Sequence, residues 1–154
     1  MMRRIKPVTT AVLTALLTVG PVAGTAADDS EDIIKYRQKA MSSQGAHVSA
    51  MAQIVRGKVS YTGHMRSHAV GVAGVAAHVK SMFPEGSDFG VTDAKMAVWE
   101  NRADFEKAAD ESKEAADALV VAVDSGDGAA IGEAFKTLSQ SCKGCHEDFK
   151  KEDD

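Results

Sequence analysis

The sequence Cys142-Lys143-Gly144-Cys145-His146 lies close to the C-terminus and contains both cysteines of the chain. A Cys-x-x-Cys-His run is the attachment signature of c-type haem, with two thiols for the vinyl groups and a histidine for the iron. Residues at positions i, i+3 and i+4 share one face of a helix, so both sulfurs and the imidazole can address one planar ligand. The spacing therefore predicts one covalent haem c, attached through Cys142 and Cys145, with His146 on the iron.

Three other uses of a Cys-x-x-Cys pair fit the sequence less well. A thioredoxin-like redox pair needs a βαβ context and a helix N-terminus that lowers the thiol pKa, whereas this pair lies near the end of a strand-poor chain. A structural zinc site needs two further ligands; His64 and His68 are spaced to supply them, but no second cysteine pair is present. A disulfide within one helical turn closes a very short loop and leaves the adjacent histidine unexplained.

The first 27 residues read as a secretory signal peptide. Residues 1–6 are basic, residues 11–22 are apolar and uncharged, and residues 24–27 are small, which predicts cleavage after Ala26 or Ala27. A retained anchor is the alternative, although the apolar run is shorter than the ~20 residues of a membrane span. Residues 28–154 then form one domain, exported to an oxidising compartment that we expect to be a bacterial periplasm.

Composition and charge narrow the possible functions. The formal net charge is −4, from 18 basic and 22 acidic side chains that are interspersed along the chain. Without a basic stripe, the sequence gives no support to nucleic-acid binding. It contains only 3 prolines and 1 tryptophan and is rich in alanine, valine and methionine, a composition typical of helical proteins.

The apolar residues recur at helical spacing in four segments, each with one apolar face. Segments of this kind, joined by short connections, predict an all-α fold, an antiparallel four-helix bundle with the haem between the first and last helices. The first helix is predicted to begin at residue 29 or 30 and to end at 57, and the second to run from about 62 to 82. The third is predicted to be capped at residue 92 or 93 and to continue to 123, and the fourth to follow the turn at 124–128.

Several residues within the predicted helices bear on the site. Met41 falls on the inward stripe of the first helix, where methionine ordinarily fills core space. Gly71 and Gly74 lie inside the second helix and each costs ~1 kcal/mol against alanine, so we expect them to permit a close approach by another helix, a partner subunit or the haem. His64, His68 and His78 lie off the apolar stripe and are expected on the surface.

The chain resembles the class II c-type cytochromes, that is, cytochrome c-prime and its low-spin, methionine-ligated relatives. The likeness covers the whole predicted mature chain, and this family, unlike most c-type cytochromes, has its Cys-x-x-Cys-His run near the C-terminus. The matching segments are residues 34–38 (IKYRQ), 98–99 (VW) and 142–150 (CKGCHEDFK).

The resemblance implies roles for residues outside the attachment motif. It makes His146 the proximal iron ligand and places Arg37 and Gln38 at the haem edge, with Arg37 paired to a propionate. Asp93 matches a loop position near the haem in some members. Lys150 stands where the family often has arginine beside the proximal histidine, and lysine lacks the planar fork of arginine donors.

Met41 matches the distal position, and two functional hypotheses follow from it. In the first, His146 and Met41 both bind the iron, which makes the protein a low-spin carrier of single electrons between periplasmic donor and acceptor proteins. In the second, Met41 only packs over an open distal face that binds nitric oxide or carbon monoxide. We expect no enzymatic activity, because no distal histidine is paired with a catalytic base. A homodimer through the first two helices is suggested by Gly71, Gly74 and the family's habit.

Overall fold

The computed structural model describes residues 29–152 as an all-helical chain. The predicted signal peptide and its cleavage site lie outside the described residues. No helix between residues 29 and 152 combines the length and the apolar character that crossing a bilayer requires. The helices are α1 (Ser30–Val55), α2 (Met65–Ala76), α3 (Ala97–Glu100), α4 (Arg102–Ser125) and α5 (Gly128–Phe149), with 3₁₀ turns at Thr62–His64 and Val79–Met82.

The four longer helices, α1, α2, α4 and α5, form the predicted antiparallel four-helix bundle, so the fold prediction is confirmed. The start of α2 meets the end of α4 through an ion pair of 2.8 Å between Arg66 Nε and Asp124 Oδ1. The start of α4 meets the end of α5 through the rings of Phe105 and Phe149, whose centroids lie 5.4 Å apart. Antiparallel neighbours of this kind require only short connections, as the turn between α4 and α5 shows.

The first and last helices begin and end where local sequence signals place them. Asp29 Oδ1 accepts a hydrogen bond from the Glu31 N–H at 2.8 Å, and α1 ends before Gly57, whose φ is +66°. Gly126, at φ +72°, ends α4, and Asp127 Oδ1 accepts hydrogen bonds from two N–H groups at the start of α5. Side-chain caps and left-handed glycines satisfy the unpaired groups of helix ends, and they make these bounds predictable.

The second helix is shorter than predicted. Instead of one helix over 62–82, α2 covers 12 residues, and His78, at φ −115° and ψ 1°, separates it from the following 3₁₀ turn. Val79 and Met82 are both buried in that turn, because residues three apart lie on the same face of a 3₁₀ helix. At 1.5 Å per residue, α2 is about 18 Å long and the 26 residues of α1 about 39 Å. Part of α1 therefore extends beyond α2.

The third helix begins later than predicted and is interrupted. It starts as the short α3, and Asn101, at φ −114° and ψ 50°, separates α3 from α4. Thr92 Oγ1, the predicted cap, accepts a hydrogen bond from the Arg37 guanidinium at 2.6 Å. The carbonyl of Asp93 accepts one from the Lys151 N–H at 2.7 Å. The prediction of a helix start at 92 or 93 was wrong because these long-range bonds hold the segment outside the helix.

All the buried apolar residues of the described chain except Ile34 belong to two clusters, one at each end of the bundle. The closed-end core is built from α1, α2, α4 and α5 and consists of Met51, Ala52, Ile54, Met65, Ala69, Val72, Ala76, Ala115, Ala116, Leu119, Ala122, Ile131, Phe135 and Leu138. The cavity-end core consists of Val79, Met82, Phe83, Val98, Phe105, Ala109 and Phe149.

Candidate haem-binding site

A cavity of about 370 Å³ opens beside the cavity-end core, between α1 on one side and α4 and α5 on the other. Large apolar side chains make up much of its wall. Pockets of a few hundred Å³ with an apolar wall and a few placed polar groups are typical of cofactor sites. The apolar lining consists of Met41, Val79, Phe83, Ala94, Val98, Phe105, Ala109 and Phe149.

The last turns of α5 present the predicted attachment residues to this cavity. Cys142, Cys145 and His146 all line it; the two cysteines are half-buried and the histidine is exposed. The thiols are not joined in a disulfide. The structure thus brings together the three residues that the Cys-x-x-Cys-His signature predicts to hold a haem.

The raised pKa values of the two thiols argue against a site for thiol–disulfide exchange. Burial raises the pKa of Cys142, and burial followed by the charges of Cys142 and Asp148 raises the pKa of Cys145 to about 11. A reactive redox cysteine requires a lowered thiol pKa, so that thiolate is present at neutral pH. The arrangement instead suits thiols that form thioether bonds to a group bound in an apolar cavity.

Met41 lies on α1, is half-buried, and lines the cavity across from α5. It packs against the cavity-end core, together with Trp99 and other partly buried apolar residues. These contacts are those of an apolar side chain that walls a cavity, as the helical spacing alone predicts.

Arg37 lines the cavity and is only 2% exposed. Its Nη1 donates to Ser87 Oγ at 2.8 Å, and its Nη2 donates to the Ser87 carbonyl at 2.8 Å and to Thr92 Oγ1 at 2.6 Å. The guanidinium carbon lies 4.8 Å from the ring centroid of Phe83 and 5.5 Å from that of Trp99. The pairing of Arg37 with a propionate stays a prediction, but its partners within the chain are these.

Burial lowers the pKa of the Arg37 guanidinium from its ordinary value, while the carboxylates of Asp88 and Asp93 act in the opposite direction. The guanidinium group nevertheless stays charged in proteins. Three hydrogen bonds and two aromatic faces compensate this charge for its loss of water. Arg37 is therefore a buried cation that is stabilised within the chain, with three of its five N–H donors engaged in these hydrogen bonds.

The other two predicted edge residues line the mouth of the cavity. Gln38 Nε2 donates to the Val91 carbonyl at 3.1 Å, and the Asp93 side chain is exposed. Both residues line the cavity, so they can meet the polar edge of a ligand whose face is apolar. Their contact with a haem stays a prediction.

Ser112 is a cavity residue that the sequence does not reveal. Its Oγ is a buried side-chain oxygen without a hydrogen-bond partner, whereas the partly buried Ser139 and Ser141 bond carbonyls of their own helix at 2.8 and 2.9 Å. An unpaired buried hydroxyl is unusual in a finished core. Its position in the wall is consistent with a cavity that a cofactor completes, and the residues that line the cavity, two thiols, an imidazole and an apolar wall, fit the chemistry of a covalent haem.

The two glycines of α2 have different surroundings, and one of them faces a histidine of α1. A Cβ atom on Gly71 would lie 2.5 Å from His47 Nε2, so Gly71 permits a close approach by α1, whereas nothing lies within 4 Å of the same position on Gly74. His47 Nδ1 and His68 Nδ1 are 3.0 Å apart. His64 and His78 are exposed, as predicted, whereas His68 is half-buried because α1 brings a second imidazole against it.

Comparisons with known proteins agree with the site. The family described as Cytochrome C' matches residues 32–150. Cytochrome c' of Pararhodospirillum photometricum is 35% identical over 122 residues, 79% of this chain and 98% of that protein. The crystal structure of cytochrome c' from Rubrivivax gelatinosus superimposes with a TM-score of 0.75 at 34% identity, over 79% of this chain and 97% of that one.

Cytochrome c' of Alcaligenes xylosoxidans is a third relative, and its variants carry small gases. A nitric oxide complex of one mutant matches with a TM-score of 0.77 at 26% identity, over 83% of this chain and all of that one. A carbon monoxide-bound variant matches with a TM-score of 0.75 at 27% identity, over 80% and 98% of the two chains.

These findings overturn one prediction from the sequence. The reading of a low-spin electron carrier, with both His146 and Met41 on the iron, was wrong, because the matching family and these relatives are cytochromes c' and two of the structures hold a gas. An iron with a protein ligand on both faces has no free position for such a gas. The match over residues 32–150 and the identity to the Pararhodospirillum protein show that the chain belongs to the cytochrome c' family.

Proposed function

We propose that this protein binds nitric oxide or carbon monoxide at a haem iron, on the face of the haem where no side chain is an iron ligand. The observation that carries the proposal is the placement of Met41 in the apolar wall across the cavity from His146, in a chain whose relatives include gas complexes. An apolar wall can exclude water and polar ligands while admitting a small neutral molecule. Distal packing would then control which molecules enter and how fast.

The cytochrome c' family carries one covalently attached haem c, and the cysteines of this chain suit it. In the proposal, Cys142 and Cys145 hold the group through thioether bonds and His146 is its proximal ligand. When bound, the haem would supply an iron that can take a diatomic ligand. Arg37, Gln38 and Asp93 are the proposed contacts at its polar edge.

The opposite walls of the cavity have different tasks in this proposal. On the α5 side, both attachment thiols and the imidazole come from one helical turn, so their relative positions are rigid. On the α1 side, Met41 and its neighbours form a barrier that touches the ligand site without bonding to the metal. Selectivity for small neutral gases then depends on steric access past Met41 and on the apolar side chains around it.

The remaining expectations belong to the same proposal. We expect the protein to act in the periplasm after export, and to bind and release ligand without converting it chemically. Partner proteins and a homodimer stay predictions from the sequence.

The test is the absorption spectrum of the purified holoprotein in both oxidation states, with carbon monoxide added to the reduced form. We expect broad high-spin bands that shift at once on addition of the gas. In the variant Met41→Ala the spin state should stay the same, while carbon monoxide associates roughly tenfold faster, equivalent to ~1.4 kcal/mol off the entry barrier.

Met51→Leu is the matched control. Met51 lies on the same helix but is fully buried in the closed-end core, so its replacement should leave the spectrum and the association rate unchanged. The proposal would be refuted by sharp low-spin bands that resist carbon monoxide and that become high-spin in Met41→Ala.

A further inference from the structure

The first turns of α1 extend past the end of α2 and need other partners. Gln44 Nε2 donates to the Val72 carbonyl at 3.3 Å, which fixes the level at which the two antiparallel helices meet. Since α2 ends at Ala76, the part of α1 before residue 40 lies beyond it. This part contains Ile34 and Arg37, both buried. Another segment must therefore cover them.

That segment is the irregular chain of residues 84–95, which we call the strap. The Arg37 guanidinium makes its three hydrogen bonds to the strap, and Gln38 Nε2 makes one more to the Val91 carbonyl. Ile34 Cδ1 lies 3.6 Å from the position that a Cβ atom would take on Gly90. The strap thus serves as the packing partner for the start of α1.

The other side of the strap is bonded to the end of α5. The Lys95 N–H donates to the Phe149 carbonyl at 2.9 Å, and the Lys151 N–H donates to the Asp93 carbonyl at 2.7 Å. Lys151 Nζ also donates to the Thr92 carbonyl at 2.9 Å, and Ala94 pairs with Lys150 in an isolated antiparallel bridge. The strap therefore joins the helix that carries Met41 to the end of the helix that carries His146.

Ser87 is the centre of the strap's attachment to α1. It is fully buried, its Oγ accepts from Arg37 and donates to the Pro84 carbonyl at 2.8 Å, and its own carbonyl accepts from Arg37 as well. Ser87 does not line the cavity. Loss of its hydroxyl would leave a buried charged donor without a partner, which is costlier than the loss of an exposed hydrogen bond.

We propose that Arg37 is a positioning residue that, through Ser87 and Thr92, holds the strap and thereby sets how readily a gas reaches the face of the haem beneath Met41. The inference rests on the proposed function, because it concerns access to the same face. It assigns Arg37 a role that does not require contact with a propionate. Without these hydrogen bonds, the start of α1 loses the strap as a packing partner and moves more freely over the cavity.

The first experiment compares Ser87→Ala with the wild-type holoprotein. Because Ser87 lies outside the cavity, its replacement acts on the haem only through Arg37 and the strap. We expect carbon monoxide to associate at least about fivefold faster, and amide hydrogens of residues 34–41 to exchange faster by a similar factor. Ser139→Ala is the control, since Ser139 Oγ bonds only within α5, to the Phe135 carbonyl, and both measurements should stay within twofold of wild type.

A double-mutant cycle separates this role from a direct contact with the haem edge. Arg37→Lys removes the planar fork but keeps the charge, and its effect on the association rate should be less than additive with that of Ser87→Ala. Coupling of this kind is expected if both variants loosen one contact. Additive effects would mean that Arg37 acts elsewhere and would overturn the inference.

Lys151→Met provides a second test of the inference, which can be used if the variants of the buried residues do not fold. Lys151 is exposed, and the variant removes the bond from Nζ to the Thr92 carbonyl, at the other attachment of the strap. We expect a smaller acceleration of gas binding, about twofold, with faster exchange in residues 84–95. Unchanged rates in both Ser87→Ala and Lys151→Met would overturn the inference.

The wild-type spectrum keeps the two proposals apart. If the wild-type protein resists carbon monoxide, the proposed function fails, whatever the exchange data show. If the wild type binds carbon monoxide and the strap variants bind it at the same rate, only the role of Arg37 fails.

Discussion

The closed end and the cavity end of the bundle are built from the same helices but completed in different ways. At the closed end, Ala69, Ala116, Leu119 and Leu138 are fully buried, and helices meet directly through small and branched side chains. In the wall of the cavity, two thiols remain half-buried, Cys142 against the closed-end core and Cys145 against the cavity-end core, and a serine hydroxyl lacks a partner. The closed end is a finished protein core, whereas the cavity end is a core with a place left for a cofactor.

The difference also concerns which helices hold each other. α4 packs along α5 and α2 along α4, but α1 and α5 touch little, because the cavity lies between them. Their connection runs instead through the strap and its hydrogen bonds. Side chains stabilise a core only where they touch, and those of α1 and α5 do not meet across a cavity of this size. The two helices are therefore joined through the strap. The following predictions test how independent the two ends are.

The largest expected effect is at the closed end. Leu138→Ala should lower the free energy of unfolding by ~3 kcal/mol, within the ~2 to 5 kcal/mol of large-to-small core changes, because the closed-end core has no room to collapse. Leu138→Met, which conserves volume, should cost less than ~1.5 kcal/mol. Denaturant titration of the holoprotein measures both. A shift in the carbon monoxide association rate of Leu138→Ala would show that the ends are coupled.

Helix caps offer a smaller, paired comparison. Asp127 caps α5 at the closed end, and Asp127→Ala should cost ~1 kcal/mol, the usual value for a lost N-cap. Asp29 caps the first turn of α1, which precedes the buried Ile34 and has no buried residue of its own, so Asp29→Ala should cost only about a few tenths, since an exposed first turn opens locally at little expense. Thermal and denaturant unfolding give both values. Equal costs would show that the first turn of α1 is held as firmly as the first turn of α5.

The glycines of α2 predict a gain in stability. Gly74→Ala should raise the free energy of unfolding by about 0.5 kcal/mol, because nothing occupies the space around the new methyl group and alanine favours the helix. Gly71→Ala should gain less or lose, since its methyl group displaces the His47 ring from its place against His68. The same unfolding titrations distinguish the two, and equal gains would show that the His47 ring moves away at no cost.

The smallest effect is a pH dependence. Burial, followed by the charges of His47 and His64, lowers the pKa of His68 below its ordinary 6.5. At pH values between this lowered pKa and 6.5, the unfolded chain binds more protons than the folded chain. The contribution of neutral His68 to the free energy of unfolding is therefore complete above pH 6.5 and is lost as the pH falls below 6.5. His68→Gln should reduce this decline in urea titrations at pH 7 and pH 5, whereas the exposed His78→Gln should not.

Much of the fold could be predicted because its signals are local. The spacing of Ile131, Phe135 and Leu138 predicted the buried face of α5, and all three are buried. Gly57 predicted the end of the first helix, which the structure confirms, and the last helix begins at Gly128, at the edge of the predicted turn 124–128. Each of these signals involves residues within about one helical turn, where backbone geometry dictates which groups meet.

The bounds of α2 and α3 could not be predicted in this way. Helical periodicity continues from α2 into the 3₁₀ turn that buries Val79 and Met82, because a spacing of three suits both kinds of helix. Thr92 has the chemistry of a helix cap and accepts the Ala94 N–H at 3.2 Å, but its hydroxyl is also bonded to Arg37 from another helix, and no helix begins there. In both places tertiary contacts override a local preference.

The attachment chemistry followed from the sequence alone, because Cys142, Cys145 and His146 lie within five residues on one face of a helix, where no other part of the chain can alter their spacing. The bundle followed for the same reason, from apolar residues repeated at helical intervals. The partners of Arg37 did not, because Ser87 stands 50 positions away and Thr92 55. Nor did the surroundings of Met41, whose contacts come from the wall of a cavity that several helices and a strap enclose. Contacts across such separations depend on how the helices pack, and periodicity along the chain carries no information about that packing.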